Sequence, residues 1–285
     1  MVRFWRSLGV RAWLYINDFL VVASNRNKAL WLRNHVVRPT LNALGWVQEV
    51  TKGTWEPAQE VTVLGLRVNA AVGKFYIESE KLSKYVQLCQ QTRKRKWVRR
   101  RELAAVAGKL QYGIKAAPVV KVMLQPLHRS ITPGPWNGWV QLLPEAKRDL
   151  AWLACNLAKV NGSPLWRKGK VLRLVTDAAG KSTMGWGAQL AGVQARGDWT
   201  VQQMDWPIHL KELWAVLMGL RSFAQEITCK RVQLYTDSQV VAGIMQNTPH
   251  TAAAAEIKRQ IKLTIVKAKA VWEEECGSQQ QACRE

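Results

Sequence analysis

Two apolar segments of this chain stop on the same dipeptide. VLRLVTD (171–177) and VQLYTD (232–237) are rich in β-branched and aromatic residues, read as strands and each end in Thr-Asp. Between them a helix is predicted over 209–226, with Leu213, Leu217, Leu220 and Ala224 forming an apolar stripe at helical spacing. A helix with such a stripe must bury it, so this half of the chain is restricted to a sheet with a helix packed across it. The neighbouring pattern completes a β-β-β-α-β-α order: strands at 171–177, 184–190 and 193–201, the helix, a strand at 231–237 and a helix at 238–246. Residues 252–272 read as helix throughout, or as a helix leading into a strand at 262–271.

Residues 11–23, RAWLYINDFLVVA, predict strand, turn, strand, with the polar Asn17-Asp18 pair at the turn. An amphipathic helix follows over 26–44, kinked by Pro39 and ended by Gly45. Short strands are predicted at 46–50, 61–68 and 73–77, then helices at 81–91, 101–114, 119–128 and 144–158. ITPGPWNGW (131–139) reads as a linker. The predicted division is therefore a first unit over 1–130, a linker over 131–143, a second unit over 144–275 and a disordered tail over 276–285.

A formal net charge of +22 exceeds what solubility needs and points to a polyanionic partner, nucleic acid first. Residues 1–130 hold 23 basic and 7 acidic residues against 19 and 13 over 131–285, so the electrostatic footprint lies in the first part. Its densest run is Arg93, Lys94, Arg95, Lys96, Arg99, Arg100 and Arg101, expected along a helix where it can neutralise phosphates. The alternatives are a solvated face or a nuclear-targeting tract. Trp136 and Trp139 fit either stacking on bases or packing in the core or between units. No apolar run approaches the roughly 20 residues that span a bilayer, so no membrane partner is expected. Five scattered cysteines, odd in number and without Cys-x-x-Cys, read as a reducing compartment with no disulfide framework.

If the two Thr-Asp strands are sheet neighbours, Asp177 and Asp237 emerge side by side. Glu212, expected in the first helical turn, reaches them if the helix packs across that sheet. Clustered carboxylates suit Mg²⁺ (or Mn²⁺), and two such ions about 4 Å apart support phosphodiester hydrolysis. Each acid also has a structural reading: Asp237 as an N-cap and Glu212 as a helix-dipole partner.

TDAAGKSTMGWGA (176–188), HLKELWAV (209–216) and YTDSQVV (235–241) resemble the ribonuclease H fold of retroelement polyproteins. That resemblance implies that Asp177, Glu212 and Asp237 bind two Mg²⁺ ions and cut RNA in RNA–DNA hybrids. YINDFLVVA (15–23) resembles the Tyr-x-Asp-Asp hairpin of reverse transcriptases, with Tyr15, Asn17 and Asp18 at the matching positions. LGWVQEV (44–50) and VLGLRV (63–68) resemble final palm segments, and RRRELAAVAGKLQYGIKAAP (99–118) resembles the thumb-like connection. The pattern is similar to the reverse transcriptase–ribonuclease H region of tyrosine-recombinase (DIRS-type) retroelements, truncated at both ends. It implies an α/β fold: a partial palm and helical connection, then a ribonuclease H-like mixed-sheet domain.

Departures from the family shape the functional expectation. Asn17 stands where the family has a carboxylate, and the other polymerase carboxylate would lie upstream of the hairpin, so polymerase activity is expected to be lost. No Asp follows Asp237, leaving Glu273, Glu274 or Glu275 as surrogates for the family's fourth ligand. Two readings stay open. One is an Mg²⁺-dependent ribonuclease H-type endonuclease. The other is a non-catalytic RNA-binding scaffold of a larger ribonucleoprotein, or one completed by an upstream palm fragment.

Overall fold

The computed structural model describes residues 1–16, 18–47, 49, 53–132, 135–166, 171–180, 185–247, 249, 251–268 and the backbone of 271–277. Asn17, the side chains of Glu273, Glu274 and Glu275, and residues 278–285 lie outside the described residues. The chain is α/β, and its buried apolar side chains gather in three clusters. No described helix is long and apolar enough to cross a membrane.

The first cluster joins α1 (Val2–Ser7) to an antiparallel hairpin, β1 (Arg11–Tyr15) and β2 (Asp18–Val22), in which Tyr15 faces Asp18. The helix predicted at 26–44 runs as α2 (Arg26–Leu32), a π-helical stretch (Arg33–Val37) and α3 (Arg38–Ala43). Pro39 cannot donate an N–H into a regular helix, and the wide turn sits immediately before it. Trp5, Ala12, Leu32, Val37 and Leu41 close the core between hairpin and helix. The strand predicted at 46–50 is not formed by its described residues. Gly45 ends α3 at φ 69°. Its N–H donates to Asn42 O (3.0 Å), and that of Trp46 donates to Leu41 O (2.9 Å). This pair of helix-ending bonds consumes the Trp46 donor that a strand would have needed.

The second cluster begins with a small sheet, β3 (Glu60–Val63), β4 (Leu66–Asn69) and β5 (Lys74–Ile77). The segment 61–68, read as one strand, is a hairpin, because Leu64 and Gly65 both take positive φ and reverse the chain. Helices α4 (Ser79–Arg93), α5 (Arg100–Tyr112), α6 (Val120–Met123) and α7 (Gln125–Ile131) follow. The helix predicted at 119–128 is thus two, restarting where Pro126 occupies the first turn of α7. Between α4 and α5 lies β6 (Trp97–Arg99), and after α7 comes β7 (Trp139–Gln141). The stretch 131–143, read as a linker, therefore carries a strand, which pairs antiparallel with β6. Next, α8 (Pro144–Val160) buries Leu150, Leu153 and Leu157 in this same cluster. β8 (Ser163–Pro164) then adds to β5. The Asn161 amide ties the two ends together: it accepts from Ile77 N–H (2.7 Å) and donates to Ile77 O (3.1 Å).

The third cluster is built on β9 (Val171–Ala178), β10 (Trp186–Leu190), β11 (Val193–Gly197), β12 (Arg231–Tyr235) and β13 (Val271–Gly277). The spatial order is β11-β10-β9-β12-β13, with β10 antiparallel to both its neighbours and β12 parallel to both of its own. This is the mixed sheet expected of a ribonuclease H-like domain. β11 stops at Gly197, short of the predicted 201. Thr200 instead opens α9 (Val201–Met204) in a reciprocal cap with Gln203. Helices α10 (Ile208–Ser222), α11 (Gln239–Gln246) and α12 (Ala252–Lys267) complete the unit. The strand alternative at 262–271 fails because Ile257, Ile261 and Ile265 are buried at helical spacing; the strand starts only at Val271. It runs to Gly277 and so takes in the first two residues of the segment read as a disordered tail.

α12 also reaches the second cluster. Leu263 and Val266 pack against it, Arg259 bonds the buried Asp149 of α8 (2.5 Å), and Glu256 pairs with Arg148 (2.6 Å). Burial raises the Asp149 carboxyl above its ordinary value, outweighing the opposing pull of Arg259.

α10 lies directly on the sheet, and Leu213, Leu217 and Leu220 of its predicted stripe are fully buried. Gly219 permits the approach: a Cβ there would stand 2.8 Å from Ala188 Cβ and 3.4 Å from Thr176 Cγ2. The nearer obstacle, Ala188 Cβ, is fixed by the strand backbone and cannot rotate away. Gly219→Ala is expected to lower unfolding free energy by about 1–3 kcal/mol despite the better helix propensity of Ala, measured by urea denaturation. Unchanged or raised stability would show that helix and sheet do not approach each other in this way.

Candidate functional site

β9 and β12 pair in register, Leu174 with Leu234 and Val175 with Tyr235. Two residues further on, Asp177 and Asp237 leave the same end of adjacent parallel strands. Leu174 and its partner Leu234 are buried on one face of the sheet, so alternation within β9 turns Asp177 to the other face; Asp177 and Asp237, the latter two residues past the end of β12, are both exposed. Asp177 Oδ1 accepts from the N–H of Ala178 at 2.8 Å.

The structural roles considered for two of these acids belong to other residues. The N-cap of α11 is Ser238, whose hydroxyl accepts from Val241 N–H (3.3 Å), and Asp237 is left outside the cap. α10 begins at Ile208 on the N-cap Pro207, and its first turn holds no acid. Glu212 therefore sits just past the first turn in which it was expected, beyond the strongest reach of the helix dipole.

The end of the sheet is braced by a buried cation. Lys211, 2% exposed, donates from Nζ to Gly180 O (3.1 Å) and Met204 O (2.7 Å) and lies 5.6 Å from the Trp199 ring centre. Trp199 Nε1 in turn donates to Ala179 O (3.1 Å). These bonds fix the backbone leaving Asp177 to the first turn of α10, next to Glu212.

Among the described residues, no three His, Cys, Asp or Glu side chains stand close enough together to hold a metal ion. The donor chemistry of Asp177, Glu212 and Asp237 suits Mg²⁺ or Mn²⁺, but their placement does not fit a preformed two-metal centre. At the other suspected site, the tip of the first hairpin brings Tyr15 opposite Asp18, both exposed.

The basic run does not lie along one helix. Arg93 ends α4, Lys94–Lys96 form a turn, Arg99 lies in β6, and Arg100 and Arg101 open α5. The interruption has an apolar cause: Val98 and its partner Val140 are 1% and 4% exposed, so the β6–β7 ribbon is nailed to the second core by alternate residues. Alternation turns Trp97, Arg99, Trp139 and Gln141 outward together. Of the seven basic residues only Arg100 is half-buried; the others are exposed, and Arg95 pairs with Glu102. Trp136 and Trp139 are not core residues but exposed ones, carrying the guanidinium groups of Arg100 (5.6 Å) and Arg99 (5.5 Å) over their rings. Sequence reading missed Trp97 as a member of this surface. The signal was the shared alternation of WVR (97–99) and WVQ (139–141).

No family model matches the chain, and no curated protein matches it. Among solved structures it is similar to foamy viral protease-reverse transcriptase determined with double-stranded DNA (17% identity, TM-score 0.49, covering 92% of this chain and 45% of that one). It is also similar to the same kind of protein with an RNA/DNA hybrid (15%, TM-score 0.46, 92% and 35%). A further structure with double-stranded DNA matches at 16% and TM-score 0.48, over 92% and 55%. The chain thus spans between about a third and about half the length of these proteins.

Lys211→Met keeps the aliphatic bulk but strips the donors from Gly180 O and Met204 O. A loss of about 1–3 kcal/mol of stability is expected by chemical denaturation. A neutral result would mean that the buried ammonium is not what braces this end of the sheet.

Proposed function

We propose that this protein is a reverse transcriptase–ribonuclease H-type scaffold that binds the backbone of RNA or an RNA–DNA hybrid, acting as a nucleic-acid-binding subunit rather than as a polymerase. One observation carries the reading. Arg93, Lys94, Arg95, Lys96, Arg99 and Arg101 are exposed together within a nine-residue stretch on the ribbon and the two helix ends beside it. Such a surface meets phosphates without reading sequence, as suits A-form duplexes recognised by shape. The closer attribution, to DIRS-type retroelements, rests on the motif resemblances at 15–23, 44–50, 63–68, 99–118, 176–188, 209–216 and 235–241. A larger ribonucleoprotein is the natural setting for a subunit of this kind.

The salt dependence of hybrid binding tests this. Replacing Lys94, Arg95 and Lys96 by Ala together is expected to reduce the slope of log affinity against log salt by about 2–3, at about 0.9 for each duplex phosphate that is no longer neutralised. An unchanged slope would remove the basic surface from the interface.

A second reading is hydrolysis of the RNA strand of the hybrid with Mg²⁺ or Mn²⁺. It is favoured by Asp177 and Asp237 each following a registered pair (Val175 with Tyr235) by two residues at one sheet end, with Asp237 outside the N-cap of α11. Because these residues do not form a preformed metal group, this reading requires them to draw together when hybrid and ion are bound. A labelled RNA–DNA hybrid incubated with either ion, beside Asp177→Asn, decides between the readings. Cleavage that disappears in the variant establishes the nuclease; binding without cleavage by both proteins leaves the binding subunit.

A further inference from the structure

We propose that the outward face of the β6–β7 ribbon is a stacking platform for unpaired bases, so that the protein holds a single-stranded segment of RNA or DNA beside the duplex-binding surface. The proposal deepens the binding function and rests on the reading that residues 93–101 meet phosphates.

The ribbon is rigid before anything binds. Val98 and Val140 are buried in the second core, and both ends are closed by backbone bonds, Arg100 N–H to Gly138 O (2.9 Å) and Leu142 N–H to Lys96 O (3.0 Å). A preorganised surface gives up little freedom on binding. Two large indoles stand on it in water, Trp97 51% and Trp139 61% exposed, and Trp136, 52% exposed, lies in the turn before β7. Exposed apolar area of this kind, rimmed by charge, marks an interaction surface. The rim selects the partner. Lys94, Arg95 and Lys96 lie at the turn entering β6, and Arg99 and Arg100 lie over the Trp139 and Trp136 rings. Aromatic planes alternating with cations are what a single strand needs, bases on the rings and phosphates on the charges.

The register adds a geometric reason. Trp97 pairs with Gln141 and Arg99 with Trp139, so the two indoles are diagonal neighbours on one face. Diagonal positions of an antiparallel pair lie about 7–8 Å apart. Large aromatic side chains at that separation can both reach one strand laid along the ribbon. A base inside a duplex has both faces covered by its stacked neighbours and cannot lie on the rings, so the site favours unpaired nucleotides.

The test is fluorescence anisotropy at fixed salt, using a labelled homopyrimidine strand of about a dozen nucleotides and a blunt duplex of the same length. Trp97→Leu with Trp139→Leu removes the rings and keeps apolar bulk in the ribbon, and far-UV circular dichroism confirms the fold. The double variant is expected to bind the single strand about tenfold or more weakly while duplex affinity changes by less than about twofold. Wild type that does not bind the strand, a variant that binds it as tightly as wild type, or equal weakening on both ligands would overturn the proposal. So would displacement of the strand by polyglutamate as effective as displacement by unlabelled strand, which would assign the surface to acidic proteins. The Lys94, Arg95 and Lys96 triple variant separates the two levels. If the duplex reading alone fails, that variant leaves duplex binding intact and the tryptophan variant still weakens strand binding.

Discussion

The packing of α10 on the central strands organises the C-terminal half of the molecule. A helix can lie this close to a pleated sheet only where one residue offers no side chain, and Gly219 does so over Ala188 and Thr176. The approach seals Leu213, Leu217 and Leu220 from water and fixes where the helix begins. Its start in turn puts Lys211 under the loop leaving β9, so the positions of Asp177 and Glu212 are set by one packing distance in the core. Apolar burial supplies the energy, and the buried ammonium with its two carbonyls supplies the specificity of the arrangement.

A second constraint joins the two larger cores. α12 serves the C-terminal mixed sheet with Ile257, Ile261 and Ile265 and the helical core with Leu263 and Val266. Its polar link, Arg259 to Asp149, removes a carboxylate from water, and burial raises the proton affinity of that group despite the partner. Buried pairs of this type add little net stability relative to apolar packing, but they penalise any other docking of the two helices. The orientation of the sheet relative to the basic surface is held by this junction.

Charge and aromatic surface share one design principle in the middle of the chain. Short strands present side chains to opposite faces, so a three-residue ribbon can be anchored by Val98 and Val140 while it displays Trp97, Arg99 and Trp139. A helix carrying the same run would have spread its cations around a cylinder. The ribbon instead sets Arg99 beside the exposed rings of Trp97 and Trp139, between the helix ends that carry the rest of the run. A net charge of +22 alone gives only long-range attraction screened within about 10 Å at ordinary salt; here part of it is gathered beside exposed rings.

Local pattern was enough to define most strands and helices of the C-terminal half, because each apolar period there is strong and each element is closed by its own turn or cap. It was also enough to name the two Thr-Asp strand ends, since side-chain alternation and strand length are properties of a few consecutive residues. It failed at 46–50, where a helix-ending motif took the backbone donor, and at 93–101, where Val98 and Val140, 42 residues apart, pair and interrupt the run with a short strand. The capping role weighed for Asp237 went to Ser238, and the start of α10 moved Glu212 out of the first turn. The amino-acid sequence by itself determined the α/β class, the basic character and the identity of the acids at the sheet end. Only the tertiary structure decided that these acids do not form a preformed metal group while the tryptophans stand exposed. Distances between residues remote in the chain follow from how cores close, and no local periodicity encodes them.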